Sequence, residues 1–247
     1  MTHETQIRTI EGSNTVVLLI HGILGTPHQF DPILPAIPQE WSMINLLLDG
    51  HGGSVEAFGQ SSMHKWETQV ADTVNTLCSE YENVFIIAHS MGTLFAIDAA
   101  LAHPEKVKAL ILLSPPLIVG PKRRLIRYAY RIGLGFGGNL DAELSGVRHA
   151  YSLKTERCIW KYFRWIPRYL ELFSKIRSTR KKLPALRTPT TVFLCLDDEM
   201  VSVRSKKYVE NHPACSLIYL PDSTHFTYGG NDADTIRKAV LNLNTLI

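Results

Sequence analysis

Six short apolar runs recur along the chain, and each is continuous instead of alternating with polar residues. They span residues 15–20, 43–48, 84–88, 109–113, 191–196 and 216–220. Strands buried on both faces of a parallel sheet have this pattern, whereas strands with one face in water alternate. The runs therefore predict a central, mostly parallel β-sheet.

Helical patterns lie between these runs. Apolar residues from Trp66 to Leu77 recur at spacings of three or four, which is typical of one face of a helix. The predicted helices cover residues 64–81, 91–103 and 233–246. Strands that alternate with helices over most of the chain predict a doubly wound α/β fold.

The alternation stops between Pro115 and Arg187, where long helical stretches are rich in Arg, Tyr and Trp. Because this insertion falls between two predicted strands, we expect it to form a helical cap at one edge of the sheet. The predicted organisation is an α/β core, residues 1–114 and 188–247, with a cap or lid over residues 115–187.

Charge is distributed unevenly between these two parts. Residues 121–187 contain 17 Lys or Arg and 4 Asp or Glu, a net charge of +13, whereas the remainder carries −10. Such asymmetry indicates a separate structural layer or a charged partner. Three interpretations stay open: a solvated cationic surface, weak contact with an anionic membrane, and capture of an anionic substrate or carrier protein. No nucleic-acid-binding motif accompanies the charge.

Composition narrows the class of protein. The chain has 247 residues, of which 45% are hydrophobic, as in one ordinary globular domain. No apolar run approaches the roughly 18 residues that span a bilayer, the first residues do not resemble a secretory signal, and four scattered cysteines form no C-x-x-C pair. We therefore expect a cytoplasmic protein with reduced thiols.

Neither a cofactor nor a metal is expected. The stretch "GLGFGG" at 133–138 matches G-x-G-x-x-G, but it follows a helical pattern and not a strand that opens a βαβ unit. The histidines form no H-E-x-x-H motif and no tight cluster with carboxylates.

A serine follows directly from the apolar run at 84–88. Ser90 lies at the carboxyl end of a predicted parallel strand, where α/β sheets place their chemistry. A sharp strand-to-helix turn would expose its hydroxyl and set the N–H groups of the next helix beside it. Ala88 and Gly92, two positions to either side, are small enough for such a turn. Ser90 is the predicted nucleophile.

A hydroxyl nucleophile needs a base, and the base needs a carboxylate to orient it. His225 follows the last predicted strand and so lies at the same edge as Ser90, whereas His212 precedes that strand and should lie at the opposite edge. We predict His225 as the base. Its competitors at the catalytic edge are His21, His51 and His89, and the candidate acids are Asp197, Asp198 and Asp222. We interpret Asp222, which follows Pro221, as a turn residue.

Four motifs occur in order, each at the end of a predicted strand. They are "LLIHGILGT" at 18–26, "DGHGGS" at 49–54, "AHSMGT" at 88–93, and the pair "LDDEMV" at 196–201 and "DSTHF" at 222–226. With these motifs the chain resembles the α/β-hydrolases, and among them the small bacterial carboxylesterases and monoacylglycerol lipases. It departs from the family's G-x-S-x-G pattern at Ala88, which implies a tighter turn.

The resemblance implies a serine hydrolase that cleaves carboxylic esters through an acyl-enzyme, without a cofactor. The family's D-x-x-V pattern matches Asp198 as the triad acid, with Asp197 as the alternative. The backbone N–H groups of Ile23 and Met91 are implied as the oxyanion hole. The aromatic and aliphatic cap residues suggest an apolar acyl pocket. An acyl thioesterase with the same triad and a non-catalytic ligand-binding protein of this fold remain alternatives.

Overall fold

A seven-stranded sheet runs through the part of the chain that the computed structural model describes, residues 3–123 and 158–247. The strand order is β1-β3-β2-β4-β5-β6-β7, in which β1 is antiparallel to β3 and the other neighbours are parallel. The strands are β1 (Gln6–Arg8), β2 (Thr15–Ile20), β3 (Ser42–Leu46), β4 (Asn83–His89), β5 (Val107–Leu113), β6 (Thr190–Cys195) and β7 (Cys215–Leu220).

The predicted α/β fold with a mostly parallel sheet is confirmed. Strands β2 to β7 lie within two residues of the predicted runs at each end. The sequence pattern did not predict β1, which has only three residues and a central Ile7 that is 66% exposed. A short, exposed edge strand carries no apolar run, so hydrophobic patterning cannot reveal it.

Both faces of the sheet are covered, which explains the continuous apolar runs. Successive side chains of a strand point to opposite faces. In β2, Val16 and Leu18 belong to the core layer beneath α1 to α4, whereas Val17 and Leu19 belong to the layer on the other face, with residues of α5. Each run therefore supplies both layers at once.

Five α-helices lie within the described residues: α1 (Val55–Gln60), α2 (Met63–Glu80), α3 (Met91–Ala102), α4 (Ile166–Lys182) and α5 (Gly230–Asn242). Short 3₁₀ helices cover Pro27–Phe30, Leu34–Ala36, Ile159–Trp165, Leu183–Ala185, Val203–Tyr208 and Leu243–Leu246. The three helices predicted for the core correspond to α2, α3 and α5. Helix α1 was not predicted because six residues are too few for a helical period to emerge. None of these helices has the length and apolarity that crossing a membrane requires.

The described part of the predicted cap consists mainly of the 3₁₀ helix Ile159–Trp165 and α4. Trp165 anchors it, because its indole N–H donates to the carbonyl oxygen of Val55 at 2.9 Å. Its ring packs edge-on against Phe58 of α1, with ring centroids 5.1 Å apart. Residues 124–157, which include "GLGFGG", lie outside the described residues, and the boundaries of the cap remain a prediction.

Ion pairs and hydrogen bonds of charged side chains hold α4 against the core. The buried Lys175 ammonium lies 2.6 Å from Glu67 of α2 and also pairs with Asp98 of α3. Arg168 donates to the carbonyl oxygen of Ser61 and pairs with Glu171 at 2.6 Å. Part of the cap's positive charge is therefore neutralised where α4 meets the core.

Candidate active site

Ser90 occupies a sharp turn between β4 and α3. Its backbone has φ 50° and ψ −122°, in the left-handed region that non-glycine residues rarely adopt. Two glycines make room for this turn. A Cβ on Gly92 would lie 2.2 Å from the carbonyl oxygen of Ile20, and one on Gly22 would lie 2.7 Å from the Cβ of Ser90. The absence of both side chains lets α3 and the loop after β2 close around the serine.

A hydrogen-bonded chain leads from Ser90 to a buried carboxylate. The Ser90 hydroxyl oxygen lies 3.1 Å from Nε2 of His225, and Nδ1 of the same ring lies 2.8 Å from Oδ2 of Asp198. The three residues are 2–5% exposed. The loops after β4, β6 and β7 bring them together from positions up to 135 residues apart. A serine, an imidazole and a carboxylate in this order can pass a proton from the hydroxyl to the imidazole.

The carboxylate of Asp198 is held in its ionised form. Burial alone would raise its pKa, but the neighbouring His225 and the backbone N–H groups of Met200 and Val201 lower that pKa to about 2. Those two N–H groups donate to Oδ1 at 2.8 and 2.6 Å. Asp197, the alternative acid, is exposed and pairs with Lys122 at 2.7 Å. Asp198, and not Asp197, therefore faces His225.

The other candidate bases have different partners. His89 donates from Nε2 to the carbonyl oxygen of His225 at 3.0 Å. His212 contacts the carbonyl oxygen of Leu183 at 3.0 Å and lies in the segment that leads into β7, at the opposite edge of the sheet. Asp222 lies in the turn after β7, as expected from its neighbouring proline.

Two buried histidines join the loop after β2, which contains Ile23, to the loop after β3. Nε2 of His51 accepts the N–H of Leu24 at 3.1 Å, and Nε2 of His21 accepts the N–H of Leu48 at 3.0 Å. Burial lowers the pKa of His51 to about 4, and burial followed by the nearby His51 lowers the pKa of His21 well below 6.5. Both rings are therefore neutral near pH 7, as an accepting nitrogen requires.

The backbone positions proposed for the oxyanion hole adjoin the serine. Met91 is the first residue of α3, where the N–H groups lack acceptors within the helix. Ile23 directly follows Gly22, whose Cβ position lies 3.3 Å from the Ser90 hydroxyl oxygen. Gly22 and Ser90 therefore lie in contact, and Ile23 and Met91 are the residues that directly follow them in the sequence.

Residues that the sequence did not indicate hold the His225 loop. The backbone N–H of His225 donates to Oε2 of Glu199 at 2.8 Å. Asp232 of α5 accepts the backbone N–H of Asp222 at 2.8 Å and the hydroxyl of Ser223 at 2.7 Å. In the sequence, the only indication of a role for Glu199 was its position next to the predicted acid, Asp198. That position does not reveal its contact with His225, which lies 26 residues further along the chain.

In the described ranges, 3–123 and 158–247, no group of three or more His, Cys, Asp or Glu side chains is arranged to hold a metal ion.

Comparison with known proteins places the chain in a family. A family model described as the alpha/beta hydrolase fold matches residues 15–150. The chain is 25% identical over 227 residues to a thermostable monoacylglycerol lipase of Bacillus sp. (strain H-257). This match covers 91% of this chain and 76% of that protein. The chain is also 29% identical over 115 residues to a pimeloyl-[acyl-carrier protein] methyl ester esterase of Neisseria meningitidis, covering 46% of this chain and 42% of that protein.

A solved structure shows the same fold. A metagenome-derived lipolytic enzyme superimposes with a TM-score of 0.74, covers 98% of both chains and is 18% identical in sequence. At that level of identity the likeness concerns the fold alone, and the chemistry has to be argued from the residues of this chain.

Proposed function

Because the chain belongs to the alpha/beta hydrolase fold family, we propose that it is a serine hydrolase that cleaves carboxylic esters. The observation that carries this proposal is the chain of hydrogen bonds from Ser90 through His225 to Asp198, with lengths of 3.1 and 2.8 Å. Both relatives described above bear names that refer to ester cleavage, a lipase and a methyl ester esterase.

In the first half of the proposed reaction, the Ser90 hydroxyl attacks the acyl carbonyl carbon while His225 Nε2 takes its proton. The carbonyl oxygen gains the negative charge, and the N–H groups of Ile23 and Met91 stabilise it. Asp198 keeps Nδ1 protonated and stabilises the imidazolium. The C–O bond to the alcohol then breaks, and His225 returns the proton to the departing oxygen.

In the second half, water replaces the alcohol. His225 Nε2 takes a proton from water, and the resulting hydroxide attacks the acyl carbonyl of the ester on Ser90. The bond to the Ser90 oxygen breaks, the serine regains its proton from His225, and the carboxylic acid leaves. No cofactor enters either half.

We assign an apolar acyl group to the substrate, as in a medium-chain ester or a monoacylglycerol. An aromatic cluster supports this assignment. Phe58 packs against Trp165 of the predicted cap and against His51, with ring centroids 5.1 and 5.2 Å apart. Since His51 also accepts the N–H of Leu24 in the loop of the proposed oxyanion hole, this buried apolar cluster reaches from the 3₁₀ helix Ile159–Trp165 to that loop.

A panel of p-nitrophenyl esters of increasing acyl length, run beside acyl-CoA thioesters, tests the proposal. We expect ester hydrolysis that Ser90→Ala abolishes. Turnover of thioesters alone would establish the thioesterase alternative. No turnover of either class, together with saturable binding of an acyl ligand, would establish a non-catalytic binding protein.

A further inference from the structure

The side chain of Glu199 is completely buried one residue beyond the proposed triad acid. Its Oε2 accepts the backbone N–H of His225 at 2.8 Å. Asp198 and Glu199 thus contact the same histidine in different ways: Asp198 bonds its ring, and Glu199 bonds its main chain.

His225 is held at both of its backbone polar groups. While Glu199 accepts its N–H, its carbonyl oxygen accepts a hydrogen bond from Nε2 of His89 at 3.0 Å. Burial, followed by the neighbouring His225, lowers the pKa of His89 well below 6.5, so His89 is neutral near pH 7. Its single ring proton is then the one donated to His225, because the carbonyl oxygen can only accept.

The backbone around Glu199 is itself fixed by the segment that leads into the predicted cap. Its carbonyl oxygen accepts the N–H of Lys122 at 2.8 Å, and that of Met200 accepts the N–H of Gly120 at 2.9 Å. An isolated bridge pairs Val119 with Val201 in antiparallel fashion. Glu199 is therefore anchored through its main chain and reaches His225 with its side chain.

We propose that Glu199 is a positioning residue for His225. It fixes the main chain of the histidine so that the imidazole stays within reach of both Ser90 and Asp198. This inference rests on the proposed serine hydrolase function. Without Glu199 the N–H of His225 would lose its acceptor, and the imidazole would be held less firmly between Asp198 and Ser90. A displacement of about 1 Å at a catalytic group can lower a rate about 10²-fold.

Two variants of similar side-chain size separate hydrogen bonding from simple filling of space. Glu199→Gln keeps an oxygen that can accept the His225 N–H, whereas Glu199→Met keeps the volume and loses the acceptor. We expect Glu199→Met to lower kcat about 10²-fold with KM nearly unchanged, and Glu199→Gln to retain a kcat close to wild type. Thermal unfolding of all three proteins shows whether they fold.

Equal losses in both variants, or wild-type kcat in folded Glu199→Met, would overturn the proposal. Two-dimensional NMR of ¹⁵N-labelled protein adds a readout that needs no substrate. Replacing a carboxylate acceptor by an amide should move the His225 amide proton upfield in Glu199→Gln. An unchanged His225 signal would overturn the proposal even if Glu199→Met does not fold.

These measurements distinguish a failure of the proposed hydrolase function from a failure of the proposed role of Glu199. A wild-type protein that hydrolyses no ester contradicts the proposed function, while the His225 amide signal still reports whether Glu199 holds that residue. Active wild-type protein whose kcat is unaffected by Glu199→Met contradicts only the positioning role.

Discussion

Ser90 adopts a backbone conformation that costs a non-glycine residue on the order of 1–3 kcal/mol. The surrounding contacts maintain it: its N–H donates to the carbonyl oxygen of Leu113 at 2.9 Å, and its own carbonyl oxygen accepts the N–H of Thr93 at 3.0 Å. This turn places the Ser90 hydroxyl within hydrogen-bond distance of His225.

The roles of His225 and Asp198 can be separated from folding by substitution. His225→Ala removes the base, and Asp198→Asn removes the charge that fixes the tautomer of the imidazole. We expect each to lower kcat for a p-nitrophenyl ester about 10⁴-fold, with the circular dichroism spectrum retained.

His212→Ala is the matched control for that experiment. His212 lies in the segment leading into β7, at the opposite end of the strand from the His225 loop. Its kcat should stay near wild type. A loss in His212→Ala as large as that in His225→Ala would contradict the assignment of the base.

Helix α3 lies very close to the backbone of β2 at Gly92. Gly92→Ala would place a Cβ 2.2 Å from the carbonyl oxygen of Ile20, so backbone must move. We expect Gly92→Ala to lower the free energy of unfolding by at least about 1–3 kcal/mol, the usual cost of overpacking, as measured by urea denaturation.

Gly230→Ala serves as its control, because no atom lies within 4 Å of a Cβ built at Gly230 of α5. Its unfolding free energy should match or slightly exceed that of wild type. If the two substitutions have equal effects, the close approach of α3 to β2 is not as described.

His51, whose ring accepts the N–H of Leu24 in the loop after β2, should make stability depend on pH. The pKa of His51 is about 4 in the folded protein, against an ordinary value of 6.5, so the unfolded chain binds its proton more tightly. The stabilisation is fully present above pH 6.5 and is lost as the pH falls toward 4. Between pH 7 and 4.5, we expect the unfolding free energy to fall less in His51→Gln than in wild type.

Comparing His51→Gln directly with wild type isolates His51, because all other titratable residues are common to both proteins. Asp198 does not confound this range, because its pKa of about 2 confines its effect to pH below its ordinary value of 3.8. An identical pH dependence in His51→Gln and wild type would contradict the accepting role of His51.

The hydrophobic pattern of the sequence predicted the long, buried elements. It did not predict features that depend on contacts between distant loops. Continuous apolar runs revealed β2 to β7, and strand direction alone separated His225 from His212. The choice between Asp197 and Asp198 is made by a turn in which Asp198 accepts the N–H groups of Met200 and Val201. Such a turn, like the contact of Glu199 with His225, depends on loops folding against one another and leaves no periodic signal.

Charge asymmetry is a property of the whole molecule. The +13 of residues 121–187 against −10 elsewhere should create a field that raises encounter rates with anionic substrates, carriers or membrane surfaces. Salt screens such a field, with a Debye length of about 10 Å at 0.1 M. We expect kcat/KM for an acyl-CoA, or for an ester in anionic vesicles, to fall steeply with ionic strength, while that for a neutral short-chain ester changes little.

Charge removal on the cap tests whether the field originates there. Arg177 and Lys181 are exposed on α4, and replacing both with Gln should flatten the salt dependence. The control replaces Lys108, at the amino end of β5, and Lys238, on α5, which removes the same charge elsewhere. Parallel salt curves for anionic and neutral substrates would identify the cap as a solvated surface without a steering role.

The central claim, that Ser90 is an activated nucleophile, is tested most directly by a fluorophosphonate probe followed by intact-mass and peptide mass spectrometry. Such probes react with serines whose hydroxyl is activated by a neighbouring base. The hydrogen bond of 3.1 Å to His225 predicts one adduct per chain, on Ser90, lost in Ser90→Ala and strongly slowed in His225→Ala. An adduct on another residue, or labelling at the wild-type rate in Ser90→Ala, would contradict the account.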